Sequence, residues 1–164
     1  MADEVLDVQG LTKRFGPLTA VDRVSFTVRK GEVHGFLGPN GAGKSTTMKM
    51  ITGFLSPSEG TAVVRGADVA IDPIAVKSRI GYLPEGAPLY GDMTARALLN
   101  FVAEIRGMSK PERKRRIEEV IEQVHLEEVI FRPIETLSKG FKRRVGLAQA
   151  ILHDPELLIL DEPT

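Results

Sequence analysis

The segment 38–45 limits the possible folds more than any other part of the chain. It reads Gly-Pro-Asn-Gly-Ala-Gly-Lys-Ser and fits the pattern G-x-x-x-x-G-K-[ST] at every fixed position. An apolar run at 33–37 precedes it and predicts a buried strand, and a helix is predicted from Lys44 to about Thr52. Glycines let backbone N–H groups approach phosphate oxygens, and a helix N-terminus adds positive potential. The pattern therefore predicts a phosphate-binding loop; the alternative is a glycine-rich turn that carries a lysine by chance.

A second apolar run, 157–160, ends in Asp161 and Glu162. A strand that ends in Asp brings a carboxylate to the edge of a parallel sheet where ligands bind. We expect Asp161 and Ser45 to hold Mg²⁺, Lys44 to reach the terminal phosphates, and Glu162 to polarise the attacking water. The guanine-reading Asn-Lys-x-Asp sequence does not occur, which favours ATP. The predicted nucleotide-binding residues of the loop are Gly38, Pro39, Asn40, Gly41, Ala42, Gly43, Lys44, Ser45 and Thr46.

Length and composition bound the remaining possibilities. The 164 residues correspond to about one domain. With 22 basic and 22 acidic residues the net charge is zero, which argues against a general nucleic-acid binder. Without cysteine there is no thiol catalysis and no disulfide, and no apolar run approaches the roughly 20 residues of a membrane span.

Hydrophobic periodicity predicts the other elements. Strands are expected at 5–8, 24–28, 61–65, 80–83 and 157–160, and a short helix at 73–78. Three further helices are expected: one around 97–105 that ends at Gly107, one that Ser109 caps, and one over 138–153. Strands that alternate with helices indicate an α/β protein with a mostly parallel sheet.

The pentapeptide 137–141, Leu-Ser-Lys-Gly-Phe, opens the last of these helices. Ser138 is a good N-cap, and Gly140 allows close approach, so a second anion site is expected here. The alternative is an ordinary capped helix. One chain would then offer two phosphate sites for one triphosphate.

In their order along the chain, these motifs resemble the ATP-binding subunit of an ABC (ATP-binding cassette) protein. The loop 38–45 is similar to Walker A, 137–141 to the signature motif, and 157–162 to Walker B with its catalytic glutamate. Phe15 stands at the place of the aromatic residue that stacks on adenine, and 81–85 stands at the Q-loop. The resemblance implies a P-loop NTPase fold with a mostly parallel core sheet, an N-terminal antiparallel β part and a helical subdomain, here 88–153, in a domain of 1–164.

The resemblance also implies the cofactors ATP and Mg²⁺ and a head-to-tail pair with a second ABC ATPase subunit. Ser138 and Gly140 would then contact the γ-phosphate of the partner's ATP. It further implies transmembrane permease subunits docked near 85–93, a location on the inner face of the cell membrane, and no direct nucleic-acid partner. Two other functions stay open: a soluble ABC ATPase that acts on ribosomes or DNA, and a nucleotide-binding regulatory module without turnover.

Three positions depart from the family pattern. Glu85 replaces the Q-loop glutamine. The sequence 81–90 is similar to cassettes of ABC-2-type exporters, including the gliding-motility kind, so Glu85 is expected to act at the metal and in catalysis. The alternative is that Glu85 is an acidic residue on the surface. Lys139 and Phe141 replace the third and fifth signature residues, a glycine and a glutamine, whereas Ser138 and Gly140 are kept. Phe15 replaces the more frequent tyrosine. The alternative to its stacking on adenine is that Phe15 is an aromatic residue of the core.

The family continues beyond Walker B, so we expect this chain to be a truncated piece that aggregates or hydrolyses ATP poorly alone, with one side of strand 157–160 unpaired. None of the three histidines follows Walker B. The segment 110–116 holds five basic residues in seven. These are expected on a solvated helix face with intrahelical ion pairs, the alternative being contact with an acidic partner or lipid headgroups.

Overall fold

The computed structural model describes residues 3–86 and 89–161. The chain divides into two compact units, Met1–Ile80 and Gly81–Thr164, which are described separately below. No helix within the described ranges is both long and apolar enough to cross a membrane.

The elements of the first unit are β1 Glu4–Phe15, β2 Leu18–Arg29, α1 Lys44–Ile51, β3 Glu59–Val64, β4 Ala67–Asp68 and α2 Pro73–Arg79. Its four strands form an antiparallel sheet with the order β2-β1-β3-β4. The central strand β1 pairs with β2 in a hairpin that closes at Phe15 and Leu18, and its other edge pairs with β3. The predicted strands at 5–8 and 24–28 are confirmed, but each is longer than the apolar alternation indicated, because polar residues form the end of the hairpin.

Helix α1 begins at Lys44, as predicted, and ends at Ile51, one residue before the predicted end; Gly53 follows with φ +72°. Met50 and Ile51 are fully buried, together with Val8, Leu11 and Val64 of the sheet. These apolar contacts fix α1 on the sheet, so the loop that leads into it has a rigid base.

The prediction of a buried strand at 33–37 is wrong. Residues 32–39 have no regular secondary structure, and Val33 and Leu37 are 97% and 94% exposed. The rings of His34 and Phe36 instead lie 5.0 and 5.6 Å from the ring of Phe26 on β2. An apolar run becomes a buried strand only where neighbouring strands satisfy its N–H and C=O groups, and no described strand pairs with this one.

The second unit holds a sheet of two parallel strands and three α-helices among its described residues. The elements are β5 Ile80–Leu83, α3 Ala95–Ile105, α4 Lys110–Gln123, the 3-10 turn Ile134–Thr136, α5 Lys139–Ile151 and β6 Leu157–Leu160. The helices bury a shared core that includes Leu98, Leu99, Ile117, Leu126, Ile134, Val145 and Leu152. The N-caps expected at Ser109 and Ser138 are confirmed by hydrogen bonds to the backbone N–H groups of Glu112 and Phe141.

The strand predicted at 157–160 is present as β6, but it is less buried than its composition indicated. Only Ile159 of its four residues is buried, and Leu158 and Leu160 are exposed. In the described part of the chain β6 pairs with β5 alone. The basic segment forms the ion pairs that were expected: Arg115 and Arg116 both contact Glu119 one turn further along α4.

Candidate functional site

The glycine-rich loop in the first unit folds back on itself ahead of α1. Gly41 and Gly43 have φ angles of +83° and +85°, in a range that residues with a side chain rarely adopt. The backbone N–H of Ala42 donates to the carbonyl oxygen of Pro39 at 3.1 Å. Lys44 extends over the same turn, and its Nζ donates to the carbonyl oxygens of Gly38 and Pro39 at 2.7 and 2.9 Å. The ammonium group and the loop backbone therefore lie within hydrogen-bonding distance of each other.

The N-terminus of α1 differs from those of the other helices in the described residues. Helices α2, α3, α4 and α5 each receive a side-chain cap, from Asp72, Thr94, Ser109 and Ser138 respectively. The N-cap of α1 is Gly43, which supplies none. A helix N-terminus carries positive potential that attracts anions, and at α1 no side chain of the N-cap residue competes with an anion for this position. Ser45 and Thr46 belong to the first turn of α1.

Phe15 is the last residue of β1 and is 48% exposed. The interpretation as a core aromatic is therefore wrong, and the ring is open to a ligand. Lys13 approaches it, with Nζ 5.2 Å from the ring centroid.

Asp161 follows β6 in the second unit and is only 6% exposed. Its backbone N–H donates to the carbonyl oxygen of Leu83 at the end of β5, at 2.9 Å. This bond places the carboxylate where the parallel strands end, as the sequence predicted. Burial, and secondly the charge of Asp161, raise the pKa of the Tyr82 phenol on β5. Glu162, the predicted general base, lies outside the described residues.

Gly81 explains how β5 and β6 come to lie next to the end of α5. A Cβ atom at this position would lie 2.3 Å from the carbonyl oxygen of Ala150 and 2.9 Å from Cγ of Pro155. Only glycine leaves room for this approach, so Gly81 contributes to the position of the strand that Asp161 follows.

Ser138 and Gly140 lie at the exposed N-terminus of α5. The Oγ atom of Ser138 accepts from the backbone N–H of Phe141 at 3.3 Å. Among the residues that the structure describes, a Cβ atom on Gly140 would meet only Ser138 Oγ, at an ordinary 3.9 Å. The described part of the fold therefore does not itself require glycine at 140.

Glu85 is exposed and lines a cavity of about 660 Å³ in the second unit. Lys139, Lys142 and Arg143 from the first turns of α5 line the same cavity, and so does Glu135. The negative charge of Glu85 thus has three cations around the same space. Pro88, which belongs to the ABC-2-like sequence, lies outside the described residues.

Each unit thus brings together part of the predicted set. The first holds Phe15, the loop and the start of α1, and the second holds Asp161, Glu85 and the start of α5. The sequence analysis gave no role to Lys13, and it considered Gly81 and Tyr82 only as part of the segment 81–85. For Lys13 a signal existed, since a residue two positions before Phe15 on a strand shares its face. For Gly81 none did, because its neighbours are distant in sequence.

Comparison with known proteins places these observations in a family. The model of a family described as ABC transporter matches residues 21–164. The chain is 38% identical over 162 residues to the probable multidrug ABC transporter ATP-binding protein YbhF of Escherichia coli (strain K12), covering 99% of this chain and 28% of that protein. It is 42% identical over 160 residues to the linearmycin resistance ATP-binding protein LnrL of Bacillus subtilis (strain 168), covering 98% of this chain and 51% of that protein.

Solved structures give the same result. One is described as the ATP-binding subunit of an ABC transporter; it matches with a TM-score of 0.88 and 33% identity over 97% of this chain and 66% of that one. Another is cbiO1 from Clostridium perfringens, part of the ABC transporter complex cbiONQ, with a TM-score of 0.86 and 27% identity over 99% of this chain and 66% of that one. The chain spans 28% and 51% of the length of the two curated relatives named above.

Proposed function

This chain belongs to the ABC transporter family, and on that premise we propose that it binds and hydrolyses ATP to energise an ABC transporter, an exporter of the ABC-2 type. The observation that carries the proposal is the start of α1. A glycine N-cap without a capping side chain, two glycines with positive φ and a lysine held over the turn together form a cradle for a triphosphate.

Phe15 is proposed to stack on the adenine, and its exposure at the end of the hairpin supports this role. Lys44 is proposed to leave the carbonyl oxygens of the loop and contact the β- and γ-phosphates. Thr46 and the loop residues other than Pro39, which has no backbone N–H, would bind the phosphates through their backbone N–H groups.

Mg²⁺ fits the donor set of this chain, since the hydroxyl of Ser45 and the buried carboxylate of Asp161 are the hard oxygen ligands that this ion prefers. When bound, Mg²⁺ would neutralise charge on the phosphate oxygens. Glu162 is proposed to act as general base on the attacking water. Glu85 is proposed to assist at the metal in place of the usual glutamine.

We propose that two ABC ATPase subunits enclose ATP head to tail, with Ser138 and Gly140 contacting the nucleotide bound by the partner. No described residue of this chain would clash with a side chain at position 140. This supports the proposal, because the absence of a side chain there would instead let an external ligand approach the backbone. Permease subunits are proposed to hold the protein at the inner face of the membrane. A relative at 36% identity is named Nod factor export ATP-binding protein I, from Ralstonia nicotianae, and that name supports export.

The first experiment compares ATP hydrolysis by the unaltered protein and by Glu162→Gln. We expect hydrolysis to fall at least 100-fold, the order of general-base catalysis, while ATP binding is kept. Equal rates would indicate a regulatory module without turnover.

A pull-down from detergent-solubilised membranes, with mass spectrometry of the partners, tests the transporter. A stoichiometric partner with several membrane spans is expected. Recovery only with ribosomes or DNA would contradict the proposal.

A further inference from the structure

We propose that Lys13 is a positioning residue that orients the ring of Phe15 for the base of the nucleotide. The inference rests on the proposed ATP-binding function and extends it to a residue outside the family motifs. Lys13 lies two positions before Phe15 on β1, and its Nζ is 5.2 Å from the centroid of the Phe15 ring. This is within the range of a cation–π interaction.

The ammonium group of Lys13 is held from a second side. Its Nζ donates to the carbonyl oxygen of Ser56 at 2.7 Å. The segment that contains Ser56 is itself fixed to β1: the N–H of Ser58 donates to the carbonyl oxygen of Thr12 at 2.8 Å, and the N–H of Arg14 donates to Ser58 Oγ at 3.0 Å. The ammonium group is therefore held between the strand β1, which carries Lys13, and the segment of Ser56, which is hydrogen-bonded to that strand.

A half-exposed phenyl ring at the end of a hairpin has several rotamers available to it. A fixed cation against the ring restricts these rotamers and covers part of its surface, while the exposed remainder stays open to a base. Because less conformational freedom is then lost when the base stacks, binding is favoured. An exposed cation–π contact of about 0.5–1 kcal/mol corresponds to a factor of about two to five in affinity.

Lys13 also joins β1 to the segment after α1, so its loss can act through the fold alone. A double-mutant cycle separates the two roles. If Lys13 acts through the ring, its replacement has no effect on ATP affinity once Phe15 is absent. If it acts through the fold, the effect stays.

The experiment measures the Kd of ATP and of tripolyphosphate, which has no base, for the full chain and for Lys13→Met, Phe15→Ala and the double variant. We expect Lys13→Met to weaken ATP binding about two- to fivefold, to leave tripolyphosphate binding unchanged, and to have no effect in the Phe15→Ala background. Lys13→Arg should restore ATP binding, since a guanidinium also donates to a carbonyl and lies over rings.

Lys77 provides the matched control, because its Nζ lies 5.3 Å from the centroid of the Phe54 ring in the same unit. Lys77→Met should bind ATP like the unaltered protein. The inference is overturned if the unaltered protein binds ATP and Lys13→Met binds it equally well. It is also overturned if Lys13→Met weakens tripolyphosphate to the same extent, or keeps its effect without Phe15. If the unaltered protein binds neither probe, the proposed function fails and this inference with it.

Discussion

A Cβ atom on Gly43 would lie 2.4 Å from the carbonyl oxygen of Ala20 and 3.0 Å from Cγ2 of Val21. The last glycine of the phosphate loop is thus packed against the backbone of β2, in the hairpin that ends at Phe15. This contact joins the two parts of the first unit that we propose bind the phosphates and the base. The contact is a second reason, besides the φ angle of +85°, why only glycine fits at position 43.

Gly43→Ala is expected to destabilise the protein by about 2–5 kcal/mol. The left-handed backbone contributes about 1–2 kcal/mol and the close contact about 1–3 kcal/mol. Gly41→Ala is the control, because its φ is +83° but no atom of the residues in 3–86 and 89–161 lies within 4 Å of a Cβ atom there; it should lose only the backbone part. Urea unfolding measures both, and equal losses would mean that the Ala20 contact is relieved by a small shift.

Gly140→Ala should separate stability from activity. Because alanine is the better helix former and meets no clash, the free energy of unfolding should rise by up to about 1 kcal/mol. If the position faces the partner's ATP, hydrolysis should fall more than tenfold. Ser138→Ala should lower both quantities, since it removes the N-cap of α5, worth about 1 kcal/mol. Full hydrolysis by Gly140→Ala would show that α5 is an ordinary capped helix.

Arg116→Met is expected to cost about 1–3 kcal/mol of stability. The Arg116 side chain donates to the carbonyl oxygens of Ile151 and Leu152 at 2.9 and 3.0 Å, so it caps the end of α5. Arg115 is the control: it also pairs with Glu119, but its side chain is 60% exposed against 12% for Arg116. Arg115→Met should change stability by less than about 0.5 kcal/mol. Similar losses in thermal unfolding would refute the capping role.

Tyr82 should titrate above the ordinary phenol pKa of 10.0, because burial and the Asp161 carboxylate both disfavour the phenolate. The chain has two tyrosines, so the absorbance of Tyr90→Phe follows Tyr82 alone. Since the folded-state pKa is raised, this contribution to stability is complete below about pH 10 and declines as the pH rises through the folded-state pKa. Asp161→Asn should lower the midpoint. A midpoint at or below 10.0 in the folded protein would contradict this arrangement.

Glu85→Gln should keep ATP hydrolysis within about tenfold, or roughly 1.4 kcal/mol, of the unaltered rate, because the amide oxygen can replace the carboxylate as a metal ligand. Glu135→Gln, on the same cavity, controls for the loss of one negative charge. A larger loss for Glu85→Gln than for Glu135→Gln, beyond tenfold, would show that the carboxylate itself is required.

The sequence by itself determined the parts of this protein that depend on local chemistry. The helix after the glycine-rich loop and the caps Ser109 and Ser138 are each set by a few neighbouring residues, and each was found where predicted. The family also follows from the sequence, because three motifs in a fixed order specify it.

Only the tertiary structure decided what depends on distant partners. The run at 33–37 has the composition of a buried strand, yet its state depends on neighbouring strands that it does not find among the described residues. Likewise, a side chain at position 43 would clash with the carbonyl oxygen of Ala20, and one at position 81 with that of Ala150. These pairs are far apart in sequence, so the periodicity of the sequence does not predict their contacts. Contacts between residues that are distant in sequence depend on how the helices and strands pack together, and this packing exists only in the folded chain.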